Sequence, residues 1–119
     1  MVFEGISRVF SLVGEQQYET IGQFWDEMAA LYGLHDLQGL GYDWEGSKMS
    51  YAIGLKTGCI KDSNVRIELP DHGWVRAAGK TDDLKQLYDE IYKDGPLQFE
   101  IETFYENGDC EIRFYRKTP

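Results

Sequence analysis

The chain has 119 residues, 42% of them apolar, and 21 acidic against 12 basic side chains give it a formal net charge of −9. That length supports one core and is too short for two independent ones, and no basic stripe gathers lysine and arginine onto one element, so direct nucleic-acid binding is not expected. No apolar run approaches the roughly 20 residues that cross a bilayer, and the first residues lack a basic-then-apolar signal pattern, which predicts a cytoplasmic protein without a membrane partner.

In chain order, Val9–Val13 reads as a short apolar strand. Thr20 and Gln23 have capping-box spacing, an earlier start by a few residues is the alternative, and Ile21, Phe24, Trp25 and Met28 fall at i, i+3, i+4 and i+7, which predicts an amphipathic helix running to about Tyr32 before Gly33. Leu40–Trp44 alternates, so Leu40, Tyr42 and Trp44 should share a face. A turn at Trp44-Glu45-Gly46-Ser47 returns the chain into Met49–Lys56, with Tyr51, Ile53 and Leu55 on one side and Ala52 and Gly54 on the other.

Thr57–Ser63 has no period and reads as a linker, and Val65–Leu69 as an extra strand. Pro70-Asp71-His72-Gly73 is a turn signal before a strand at Trp74–Ala78. Thr81 suits an N-cap, with Asp82 and Asp83 in the first turn, where the helix dipole favours negative charge. The second helix carries Leu84, Leu87, Tyr88 and Ile91 on one face and stops at Asp94-Gly95-Pro96. Phe99–Tyr105 and Cys110–Tyr115 then form a hairpin across Asn107-Gly108, the strongest short hairpin signal in the chain.

These elements repeat one plan, a strand, an amphipathic helix and two strands joined by a tight turn, over about residues 8–56 and again over 73–117. The pattern predicts an α+β fold in one domain, residues 1–119, whose two copies share a mainly antiparallel sheet. Function is expected between the copies.

The strand Gln98–Glu106 carries the sharpest clue. Period two separates Phe99, Ile101, Thr103 and Tyr105 from Glu100, Glu102 and Phe104. If the helices cover the first set, two carboxylates and a ring look the other way. Carboxylates beside aromatic rings suit a flat organic cation through charge pairing, dispersion and cation–π attraction. A solvated sheet face is the ordinary alternative. Tyr42, Trp44, Tyr51 and Trp74 also fall on predicted strands, and some of them should line a groove, whereas Trp25 and Tyr88, at core spacing on helices, read as packing residues.

Other chemistry is thin. His35 and His72 lie in predicted loops without metal-ligand spacing, and no phosphate-binding glycine loop or nucleophile elbow is present, so no metal or cofactor is expected. Cys59 and Cys110 read as free thiols rather than a disulfide, and Asp109 and Glu111 disfavour a thiolate at Cys110.

The segments Ile21-Gly22-Gln23-Phe24-Trp25, Tyr51-Ala52-Ile53-Gly54, Pro70 to Trp74, the second helix and Ile101-Glu102-Thr103-Phe104 together resemble the gyrase-inhibitor-like (GyrI-like) effector-binding domains. Such domains also serve as ligand-sensing modules of AraC- and MerR-type multidrug regulators. The resemblance covers nearly the whole chain through short, degenerate motifs. It implies tandem βαββ modules about a pseudo-twofold axis, with two helices on one side of the sheet and a ligand groove on the other. In that family a Glu followed two residues later by an aromatic supplies the acidic group of the drug pocket; Glu102 and Phe104 match it, with Phe where Tyr is more usual. The chain is shorter than typical members between the second helix and the final hairpin, and no DNA-binding segment precedes the domain, which predicts a stand-alone module.

Three readings follow. The first is a module that senses or sequesters lipophilic, cationic aromatic molecules, with Glu102 and Glu100 as counter-charge and Tyr42, Trp44, Tyr51, Trp74 and Phe104 as walls. The second, implied by the resemblance, is a hydrolase of cyclopropane-containing natural products, with Glu102 or Glu100 as general base and Tyr51 as donor to a developing oxyanion. The third is a protein-interaction module such as a gyrase modulator, for which the acidic residues are spread rather than clustered.

Overall fold

Alternating strands joined by two tight hairpins build the frame on which everything else sits. The computed structural model describes residues 1–117. Along the chain run β1 (Val2–Ser11), α1 (Gln17–Tyr32), β2 (Leu37–Glu45), β3 (Lys48–Leu55), β4 (Val65–Glu68), β5 (Val75–Lys80), α2 (Leu84–Tyr92), β6 (Leu97–Phe104) and β7 (Asp109–Arg116). The fold is α+β. All seven strands join one antiparallel sheet in the order β4-β1-β3-β2-β6-β7-β5.

The centre of the sheet is the pairing of β2 with β6, in which Gly39 faces Glu102, Leu40 faces Ile101 and Gly41 faces Glu100. Both helices lie on one side. The inward stripe of α1 (Phe24, Trp25, Met28) packs on Phe10, Leu37, Met49 and Ile53, and that of α2 (Tyr88, Ile91) packs on Leu97, Ile112 and Phe114. Each such side chain, fully buried, stabilises the fold by about 1.5–3 kcal/mol, so packing rather than intrinsic propensity holds the short α2 in place.

The opposite side of the sheet is packed as well. Leu40, Ala52 and Ile101 are buried there with Phe3, beside the half-buried Phe99 and beneath Leu69 and the half-buried Trp74. Trp74 is anchored by its indole Nε1, which donates to the Pro70 carbonyl at 2.7 Å. The segment leading from β4 into β5 thus closes the face that the sequence reading left for a ligand groove. Alternation along β6 sorts the side chains into the expected two sets, but the helices cover the set with the glutamates and this segment covers Phe99 and Ile101.

Smaller corrections are local. The first strand begins at Val2 rather than near Val9, and Val13 and Gly14 belong to a 3-10 turn after it. The capping box at Thr20 does not form, because α1 already starts at Gln17 and the Thr20 hydroxyl donates to the Gln16 carbonyl. Thr81–Asp83 is a 3-10 turn preceding α2, without a side-chain cap. Among the described residues no helix is long and apolar enough to cross a membrane.

Candidate functional site

Between α1 and α2, over the middle of the sheet, lies a cavity of about 460 Å³, a volume within the range that takes drug-sized ligands. Its floor is β6 and β3, with Glu100, Glu102 and Phe104 from the first and Met49 and Tyr51 from the second. Tyr18, Ile21 and Trp25 of α1 form one wall; Leu84, Tyr88 and Tyr92 of α2 form the other. Tyr18 and Tyr92 are 37% and 38% exposed and stand at the rim, whereas Glu100 and Glu102 at the floor are 3% and 6% exposed.

Two glycines make this floor possible. A Cβ at Gly39 would stand 2.0 Å from the Tyr51 hydroxyl and 2.8 Å from the Trp25 ring, and one at Gly41 would stand 2.8 Å from the Glu100 side chain. Glycine in a strand interior weakens the strand, and here it permits close approach of buried polar groups. Glu100 therefore leans over Gly41, and Tyr51 and Trp25 meet over Gly39, where other side chains would block them.

A hydrogen-bonded relay fixes Glu102. The Trp25 indole Nε1 donates to the Tyr51 hydroxyl at 2.9 Å, and that hydroxyl donates to Glu102 Oε1 at 2.6 Å. The Tyr92 hydroxyl donates to Glu100 Oε2 at 2.8 Å. Trp25 meets Phe104 edge to face at 4.9 Å between centroids, and Tyr88 stacks on Tyr92 at 5.7 Å. The Tyr88 hydroxyl lies close enough to Glu102 to favour its charged form, yet it makes no hydrogen bond of good geometry. Gln17 Oε1, also in the lining, is likewise buried without a partner.

The electrostatics are one-sided. Asp26, Glu100 and Glu102 are the acids of the lining, and no lysine, arginine or histidine faces the cavity among the described residues. Burial, then the neighbouring charge of Glu102, pushes the Glu100 carboxyl up to about 8 against the stabilising Tyr92 hydroxyl. Burial also raises Glu102, opposed by the hydroxyls of Tyr51 and Tyr88. Burial first, and then Glu102, drives the Tyr51 phenol well above its ordinary value.

Five of the seven expected ligand-binding residues meet in this cavity: Glu100, Glu102, Phe104, Tyr51 and Trp44. Tyr42 and Trp74 lie on the far side of the sheet, where the Tyr42 hydroxyl bonds the Ser7 hydroxyl at 2.6 Å and Trp74 packs with Phe99 and Tyr115. Strand alternation puts Trp44 and Tyr42 on one face. A bulge separates them: Asp43 takes φ 49° and the register with β3 shifts between Tyr42 and Glu45, which turns Trp44 toward the helices.

Trp25 and Tyr88, read from sequence as packing residues, are buried and also line the cavity. The missed signal is the Gly39-Leu40-Gly41 alternation in a predicted strand, which marks a place where other groups come close. His35 sits near the Phe104 carbonyl outside the lining, and both cysteines are free, Cys110 being buried with its thiol raised chiefly by that burial. Among the described residues no three His, Cys, Asp or Glu side chains are placed to hold a metal ion.

No protein-family model matches the chain, and no curated protein or solved structure matches it either.

Proposed function

We propose that this protein is a small-molecule-binding module of the GyrI-like kind, which senses or sequesters flat, lipophilic organic cations in the cavity between α1 and α2. The observation that carries the reading is the pair of buried carboxylates, Glu100 and Glu102, among aromatic walls and without a basic side chain in the lining. An uncompensated buried carboxylate costs several kcal/mol, and an entering cation offsets part of that cost where a neutral molecule does not. Trp25, Tyr88 and Phe104 add stacking and cation–π attraction.

The two-module architecture belongs to the same proposal. It is supported by the order strand-helix-strand-strand in β1-α1-β2-β3 and again in β5-α2-β6-β7. The strand orders β1-β3-β2 and β5-β7-β6 mirror each other about the central β2–β6 pair, as an approximate twofold axis requires. The helices then flank the axis, and the cavity lies on it.

The test is a calorimetric titration with 5-methylphenanthridinium, a permanently charged flat cation, and with neutral phenanthridine. A charge pair at about 4 Å in a partly buried site is worth about 4 kcal/mol before the cation is desolvated, so at least a tenfold preference for the cation is expected. Equal affinity for the two would contradict the reading.

A second reading rests on one specific observation, the Glu100 carboxyl held protonated up to about 8. A carboxylic acid that keeps its proton at neutrality is equipped for acid catalysis, as a hydrolase of strained cyclopropane rings requires. Tyr51 does not suit the oxyanion role given to it, since its hydroxyl proton is committed to Glu102. Water addition to a spirocyclopropane DNA-alkylating compound, lost in Glu100→Gln, would favour this reading, and an unchanged compound would dispose of it.

A further inference from the structure

Glu100 and Glu102 are two residues apart on one strand, so their side chains leave the same face about 7 Å apart. Each has one oxygen engaged by a tyrosine hydroxyl, Tyr92 on Glu100 and Tyr51 on Glu102. Every other element at the cavity brings groups of neutral or negative character. From α2 come Tyr88 and Tyr92, from α1 Tyr18 and Asp26, from β3 Tyr51, and from β2 the glycines 39 and 41. Cys110 of β7 lies buried near Glu102. Lys85 of α2 stays outside the lining, 5.9 Å over the Tyr18 ring at the rim, and reaches Asp89 at 3.4 Å and Glu15 at 4.0 Å. Two carboxylates so close, so buried and without counter-charge in the lining do not both ionise readily. The Tyr51 hydroxyl on Glu102 is itself backed by the Trp25 indole, whereas Glu100 has the Tyr92 hydroxyl alone, so the geometry favours the anion at Glu102 and the proton at Glu100.

We propose that this cavity exchanges a proton for its ligand: an organic monocation enters as the Glu100 carboxyl releases its proton to solvent. The inference deepens the cation-binding reading and rests on it. In the exchange the O–H bond of Glu100 breaks, its electron pair stays on the carboxylate, and water or buffer takes the proton. Before entry the pair carries one negative charge, on Glu102. Afterwards two carboxylates and one cation sum to the same value, so the buried charge is conserved. The Tyr92 hydroxyl, already bonded to Glu100, becomes a charge-assisted donor once that group ionises.

Since the empty site keeps the Glu100 proton up to about 8, and a cation within about 4–6 Å favours the ionised carboxylate, cation affinity rises with pH and levels off above that value. The experiment is calorimetry of 5-methylphenanthridinium binding to the intact protein at about pH 6.5 and about pH 8.5, in phosphate and in Tris, whose ionisation heats differ. Roughly tenfold tighter binding at the higher pH is expected, together with a buffer-dependent heat at the lower pH that corresponds to release of most of one proton. Glu100→Gln should bind at both values with one affinity and with no buffer-dependent heat. Binding of the same strength at both pH values without proton release would overturn the exchange and leave the cation reading standing. Proton release that persists in Glu100→Gln would overturn the assignment to Glu100. Absence of cation binding at both values would overturn the exchange and the cation reading together.

Discussion

Replacing Glu100 by glutamine is expected to flatten a fall in stability that the protein undergoes as pH rises through neutrality. In the unfolded chain this carboxyl ionises near its ordinary 4.5, while in the folded protein burial and Glu102 hold the proton on up to about 8. Between those values the folded state binds more protons than the unfolded one, so stability falls with rising pH. The contribution is fully present below 4.5 and is lost by the time the pH has passed 8. Its whole span is about 5 kcal/mol, and between about pH 5.5 and about pH 7.5 the loss is about 3 kcal/mol. Glutamine stays neutral throughout and keeps a carbonyl oxygen for the Tyr92 hydroxyl, so the variant should lose this slope without a large change of shape. Urea unfolding followed by tryptophan fluorescence at several pH values reads the difference directly. Parallel stability curves for the wild type and Glu100→Gln would refute the reasoning, because they would mean that Glu100 ionises as readily folded as unfolded.

Other outcomes follow from the same geometry. Tyr51→Phe leaves the Trp25 indole and Glu102 Oε1 without their shared partner, so it should cost about 1–3 kcal/mol in urea unfolding and raise the Glu102 carboxyl further in a carbon-13 NMR titration. Gly39→Ala pushes a methyl group into the Tyr51 hydroxyl and the Trp25 ring; the expected overpacking cost is about 1–3 kcal/mol, with weakened cation binding measured by calorimetry. Tyr42→Phe breaks only a bond to Ser7 on the far face, and cation affinity should stay within a factor of about two. Gly108→Ala forces a side chain to adopt φ 85° in the final hairpin turn, which should cost about 1 kcal/mol of stability in urea unfolding while leaving the binding heat per folded molecule intact.

The parts of this fold that were legible in the sequence are those governed by local period. Alternation on β6 separates Glu100, Glu102 and Phe104 from Phe99 and Ile101, because a strand's two faces are set by the backbone alone. The helical stripes through Trp25 and Tyr88 are likewise correct as inward faces. What covers each sheet face is a long-range matter. The segment from Leu69 to Trp74 takes the side away from the helices, and nothing local to β6 announces that. The same limit applies to Trp25 and Tyr88, since an inward-facing ring packs in the core or borders a cavity depending on how far apart the two helices stand. Trp44 leaves the face of Tyr42 for a different reason. Its direction depends on one left-handed residue, Asp43, and a single bulge reverses every face that follows it.

The central claim is that a cationic ligand lies on the helix side of the sheet, against Glu100 and Glu102. The chain has three tryptophans, at positions 25, 44 and 74, and each gives a separate indole N–H signal. Trp25 and Trp44 border the cavity, whereas Trp74 packs on the opposite face with its indole bonded to the Pro70 carbonyl. A nitrogen-15 NMR titration with 5-methylphenanthridinium should therefore move the Trp25 and Trp44 indole signals in proportion to occupancy and leave that of Trp74 in place. Movement of Trp74 alone, with Trp25 and Trp44 stationary, would put the ligand on the other side of the sheet and contradict the account.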